Sequence, residues 1–264
     1  MKKQIQSVLL VIVLSAVFSI NTNAEPSAKG AGYFELKVYH FNSATQEASI
    51  DSFLQHQYLP AMHSGGVDYI GIFKPIGNDT LADKKVYVFV PYKNLKQWEK
   101  FTLEPANNPQ FGNGGGSYLG AVYNQPAYAR IETIFMKAFE LMPPMTASKL
   151  TGPKSERVYE LRSYEGASEN IYRNKVQMFN QGGEIDIFSR LGFNAVFYAE
   201  VIYGSKMPNL MYMTSFENKQ SRDDHWKAFG SDPAWKTLSA RKEFQNNVSH
   251  SDITFLRATP YSDL

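Results

Sequence analysis

Residues 158–164 read VYELRSY, and residues 33–39 read YFELKVY. Set at an offset of 125, Glu35 meets Glu160, Leu36 meets Leu161, Lys37 meets Arg162 and Tyr39 meets Tyr164. Further along, WEKF at 98–101 meets WKAF at 226–229 at an offset of 128. Landmarks at both ends of a unit, at nearly one offset, mark a tandem duplication with a small length difference in a loop. The chain is therefore read as one α+β unit written twice.

Each copy repeats the same element order. In the second, 158–164 alternates as a strand. Ser168 can cap a helix through Ile171, Tyr172, Lys175, Met178 and Phe179, which Gly182 and Gly183 end. A short helix follows around 185–191. Residues 193–203 and 210–216 form a hairpin of strands rich in aromatic and β-branched residues. Ser221 is expected to cap a helix bearing Trp226 and Phe229, Asp232-Pro233 starts another, and 253–257 closes as a strand. The first copy follows: strand 33–41, helix 46–62, strands 68–73 and 86–90, helix 95–103, strand 131–139. The order β-α-β-β-α-β is that of a ferredoxin-like, split βαβ unit. Its helices cover one sheet face only, so the two bare faces should meet as an α/β barrel within one chain.

The start of the chain has a separate reading. Lys2 and Lys3 precede an apolar run at 8–20, and Ala24 puts a small residue before Glu25. The run falls short of the roughly 20 apolar residues of a membrane span. Residues 1–24 thus read as a signal peptide cleaved after Ala24, the only part expected to meet a membrane. Without its two lysines the chain has 27 − 2 = 25 basic and 25 acidic side chains. That balance gives no reason to expect a nucleic-acid partner. The chain has no cysteine, which excludes disulfides, thiol catalysis, thiolate metal sites and an N-terminal lipid anchor. An exported protein, periplasmic or extracellular, is expected. The remaining organisation is a first domain at 30–141, a linker at 142–156 rich in proline, and a second domain at 157–264.

The second copy resembles the NIPSNAP family. The resemblance rests on residues 159–164 (YELRSY) of the opening strand, and on Trp226, Phe229, Asp232, Pro233 and Trp235 near the end. The first copy is a diverged version: Lys37 replaces the arginine, and no Pro-x-Trp follows Phe101. The resemblance implies a dimeric α/β barrel fold. It implies no particular reaction; the wider superfamily includes monooxygenases, other small-molecule enzymes and haem-handling proteins, and fold does not fix function.

Strand alternation puts Glu160, Arg162 and Tyr164 on one face, and Glu35, Lys37 and Tyr39 on the matching face of the first copy. With the apolar set assigned to the helices, these polar sets are expected to face the barrel interior. There they would either fix the sheet interface as ion pairs or line a pocket, with Arg162 or Lys37 holding an anionic group. Tyr198, Glu200 and Tyr212 on neighbouring strands are candidates to join them. The histidines show no metal-ligand spacing, so neither a metal nor another cofactor is expected: His56 and His63 flank an apolar helix stripe, His225 follows two acids at a helix start, His40 ends a strand on the apolar-facing set, and His250 is placed in a loop. The glycine-rich segment within 104–128 lacks the lysine of a phosphate loop and reads as a long loop, a candidate lid. Trp98, Trp226 and Trp235 read as core.

Two functions remain open. One is a binding module for a small organic ligand or a protein partner. The other is a cofactor-independent enzyme, monooxygenase- or lyase-like, acting on an apolar or aromatic molecule in the barrel. A self-contained barrel favours a monomer, with a homodimer as the alternative.

Overall fold

The structure, a computed structural model, describes residues 32–102 and 116–264. The signal-peptide reading and residues 104–115 of the glycine-rich segment lie outside the described residues. The first half runs β1 (Tyr33–Phe41), α1 (Ala44–Phe53), α2 (Leu59–Ser64), β2 (Gly71–Pro75), β3 (Lys84–Tyr92), α3 (Leu95–Thr102), α4 (Gly116–Leu119) and β4 (Arg130–Ala138). The second runs β5 (Val158–Glu165), α5 (Glu169–Phe179), α6 (Glu184–Arg190), β6 (Asn194–Tyr203), β7 (Asn209–Phe216), α7 (Lys219–Ser231), α8 (Pro233–Ser239) and β8 (His250–Ala258).

Each half folds a four-stranded antiparallel sheet, in order β4-β1-β3-β2 and β6-β7-β5-β8. Antiparallel pairing of β2 with β8 and of β4 with β6 closes the eight strands into one barrel. No sheet edge is left open, which removes the usual template for strand addition. The duplication and the α/β barrel expected from the repeat are therefore present. Among the described residues no helix is long and apolar enough to cross a membrane.

Local chemistry explains several element ends that differ from expectation. The first helix is α-helical to Phe53, makes a π turn over Leu54–Tyr58, and resumes as α2. Pro60 has no N–H to give its preceding turn, and the wider turn absorbs that loss. β2 begins at Gly71 rather than 68, because Tyr69 sits at φ 61° and interrupts the extended run. The cap of α7 is Asn218, whose side chain accepts from the Ser221 amide, so Ser221 lies inside the helix. Ser168 and Asp232 cap α5 and α8 as expected. The described end of the glycine-rich segment is tied down: Tyr118 on α4 stacks on Phe53 at 3.9 Å and donates to Tyr39.

Three apolar clusters fill the molecule. One lies between the first sheet and its helices, one between the second sheet and its helices, and one inside the barrel. The barrel core takes Phe34, Leu36, Phe89, Met136, Tyr159, Leu161, Phe197, Met213 and Leu256 from both halves. The linker is more than a tether. Met142 and Met145 and the C-terminal Leu264 pack against one end of the barrel core. Only about 20 Å³ of free space remains there, roughly one water's worth.

Candidate functional site

The strand faces are reversed from expectation. The apolar set of Phe34, Leu36 and Val38, with Tyr159 and Leu161, points into the barrel. Glu35, Lys37 and Tyr39, and likewise Glu160, Arg162 and Tyr164, point out towards the helices. Tyr198 and Tyr212 also face the helices, Tyr198 because a β-bulge between Ala195 and Phe197 resets the alternation of β6. The eight candidates therefore form two groups, back to back, separated by the barrel core. The physical reason lies in what each layer can offer. A buried charge needs partners, and the helices carry long polar side chains that reach the sheet. The sheet–sheet gap holds mostly the apolar side chains of the strands themselves.

In the second half the polar group is fully satisfied. Glu160 is completely buried and takes two bonds from Arg222, Nε and Nη2 each at 2.7 Å. Trp226 Nε1 donates at 2.7 Å and Arg162 Nε at 2.7 Å. Arg162 Cζ sits over the Trp226 ring, 3.8 Å from its centre, and the guanidinium donates to the Tyr164 hydroxyl, which bonds that of Tyr212. Burial alone would raise the Glu160 carboxyl; the bonds from Arg222 and the charge of Arg162 outweigh it and hold the group below the usual carboxylate range. It stays ionised and locked at neutral pH, which suits a structural anchor between β5 and α7 and not a proton carrier. Nearby, Tyr172 donates to Glu200, and Lys175 pairs with Glu184 at 2.7 Å, both ends of that pair buried.

The first half keeps the positions but loosens the contacts. Glu35 is also completely buried, yet Lys37 Nζ stands 3.8 Å from its Oε1. Oε2 accepts from Tyr92 at 3.1 Å and Thr102 at 3.4 Å, while Oε1 has no hydrogen-bond partner. Trp98, the counterpart of Trp226, leaves its Nε1 without a partner. At the offset of that pair, the position of Arg222 is taken by Asn94, which caps α3 through the Gln97 amide. Burial raises the Tyr39 hydroxyl well above its ordinary range, as it does that of Tyr212.

A cavity of about 240 Å³ opens at the barrel end opposite the linker. Its wall comes from both halves. Leu36, Val38 and Ile134 face it from the first, Leu161 and Met211 from the second, with Ser163, Asn209, Tyr87 and Thr254 as neutral polar groups. The rim is charged but self-paired. His40 is 2 % exposed; its Nδ1 lies 2.6 Å from Asp83. Its Nε2 is 3.2 Å from Glu132, off the line a hydrogen bond needs. Lys85 pairs with Asp83, Arg130 with Glu132, and Lys206 with Asp252. Burial would raise the Asp83 carboxyl, but the bonds from His40 and Lys85 together lower it. The Lys206 bond likewise lowers Asp252. Burial pushes the Tyr87 hydroxyl up to about 12.

None of the eight predicted residues lines this cavity. His40 had a usable signal, being the one histidine on the face assigned to the apolar set. Ser163 and Asn209 carried none, since only the closure of the barrel brings β5 and β7 opposite β1 and β4. His250, expected in a loop, starts β8. With Glu165 and Asp252 it brings ligand-capable atoms within 4.8 Å of one another, but the Lys206 ammonium already sits on Asp252. Outside the barrel a shallower hollow of about 740 Å³ lies between α1 and residues 120–127, lined by small and neutral polar side chains.

The comparisons with known proteins agree with this architecture. Residues 159–263 match the NIPSNAP family model. No curated protein gives a match. Among solved structures, a monooxygenase-like protein from Fusobacterium nucleatum superimposes with a TM-score of 0.58 at 10% identity, covering 87% of this chain and 93% of its own. Another from Lactobacillus acidophilus gives 0.56 at 11% identity, covering 86% and 94%. A NIPSNAP-like domain protein from Burkholderia xenovorans has 19% identity over 41% of this chain and 90% of its own, with a TM-score of 0.37. The first two share the fold across both halves, and at such identity they speak for the fold alone. The second half of the chain is thus a NIPSNAP domain, and with its diverged first half it makes a single-chain version of the dimeric α/β barrel.

Proposed function

We propose that the chain is an exported, monomeric binding module that holds one small organic molecule in the mouth of the barrel. The observation that carries this reading is the cavity of about 240 Å³, with an apolar floor and neutral polar groups converging from both halves. Ligand sites generally combine such a floor with a few placed polar atoms. The volume is below the roughly 300–1,000 Å³ common for drug-sized ligands, which favours a small metabolite. Binding is favoured over turnover because the acid–base set of β5 is committed to α7, with Glu160 held by two guanidinium groups. The enzyme reading keeps only its fold-level likeness to monooxygenase-like proteins.

Native mass spectrometry on protein recovered from the exporting cell tests the proposal. A co-purified species of defined mass is expected on the native chain, and its loss in Leu161→Trp, which fills the cavity. Retention of the same species by a folded Leu161→Trp protein would sink the reading. Light scattering should give the mass of one chain, since closure leaves no sheet face to cover.

A further inference from the structure

Resting on the mouth cavity as the ligand site, we infer that the ligand is an uncharged amphipathic molecule whose single hydrogen-bonding head meets Asn209 and Ser163 and whose apolar body lies against β1 and β4.

The charge argument comes from the rim. Each cation there already has a carboxylate: Lys85 has Asp83 at 3.0 Å, Arg130 has Glu132 at 3.2 Å, and Lys206 has Asp252. The carboxylates are in turn shared with His40 and His250. An ionic head would have to share a rim charge that is already neutralised by its partner, so it gains little for the water it gives up.

The polar groups deeper in the wall are neutral and unevenly placed. Asn209 is 2 % exposed and donates through Nδ2 to Ser163 Oγ at 2.9 Å. Its Oδ1 has no partner. Exchanging the amide's oxygen and nitrogen changes which atom is left over, not the fact that one is. A buried amide atom without a partner lacks on the order of 1–3 kcal/mol that a ligand group can restore. Both residues belong to the second half, on β5 and β7. The first half presents Leu36, Val38 and Ile134 to the same space, and its Tyr87 hydroxyl is already bonded to Thr254. A ligand with one polar end therefore has one preferred orientation, head to the second sheet and body to the first.

The volume bounds the body. An apolar cavity of about 150 Å³ takes benzene, so about 240 Å³ admits roughly ten non-hydrogen atoms. A two-ring skeleton with a hydroxyl or amide substituent is that size.

Three probes with one skeleton test this on the full-length protein by calorimetric titration at pH 7: 2-naphthol, naphthalene-2-carboxylate and 2-naphthylmethylammonium. Naphthol is expected to bind at least tenfold more tightly than either ion. Asn209→Leu, and separately Ser163→Ala, should weaken naphthol by about three- to tenfold, the worth of one hydrogen bond, with far-ultraviolet circular dichroism confirming that each variant is folded. Tighter binding of either ion would overturn the uncharged class while leaving the cavity as a site. Undiminished naphthol binding in both folded variants would overturn the placement of the head. If no probe binds the native chain, and the species co-purifying with it is unaffected by Leu161→Trp, the cavity reading itself falls and this inference with it.

Discussion

Glu35 and Glu160 occupy equivalent strand positions, both completely buried, yet their surroundings differ sharply. Glu160 receives Arg162, Arg222 and Trp226 within 2.7 Å. Glu35 has a lysine at 3.8 Å, two hydroxyl donors on one oxygen and none on the other. The difference comes down to one helix turn. α7 starts early enough to carry Arg222 four residues ahead of Trp226, on the same face. α3 starts at Leu95, so the matching position is its cap and can offer no cation. A duplicated carboxylate can thus stay buried while its supporting shell decays, provided hydroxyls replace part of the lost compensation.

Substitutions can break this comparison. Glu160→Gln should have the largest effect, a loss of about 3 kcal/mol in urea unfolding, because it leaves two partly buried guanidiniums without their carboxylate. The effect should depend on pH. A carboxyl lowered in the folded state contributes stability that is complete above its unfolded value of about 4.3 and disappears as pH falls through the folded value. The gap between native protein and Glu160→Gln should therefore be full at pH 7 and shrink below about pH 4. A gap that persists unchanged in acid would mean that packing, not charge, sets it. Trp226→Phe should cost about 1.5–3 kcal/mol through its lost bond to an ionised group. Its counterpart Trp98→Phe loses no such bond, so the difference between the two variants isolates the Trp226–Glu160 bond. Glu35→Gln should have the smallest effect, under about 1 kcal/mol, since one oxygen makes no hydrogen bond to lose. Equal losses at the two glutamates would refute the contrast.

Much of the fold was legible in the sequence. The repeat of VYELRSY and YFELKVY gave the element order, and the uncovered sheet faces gave the closed barrel. Strand alternation correctly grouped Glu160 with Arg162 and Tyr164, and Glu35 with Lys37 and Tyr39. It could not say which face turns inward. Alternation reveals direction only when one face meets water, and here both are covered; β7 is buried at all eight positions. The bulge at 195–197 further hid the facing of Tyr198. Arg222 was missed although it stands one helical turn from Trp226, because nothing local marks a helix arginine as reaching a strand carboxylate. The mouth cavity was invisible for a different reason. Its wall joins strands from opposite halves, and Ser163 and Asn209, neighbours within the second sheet, meet His40 only through closure.

The linker that lies across one end of the barrel has a kinetic consequence. With Met142, Met145 and Leu264 packed there, the lumen is a dead end. Anything that enters at the mouth must leave by the mouth, and water displaced by a ligand has to pass it on the way out. Exchange therefore runs past the charged rim of that one opening, where Lys206 pairs with Asp252.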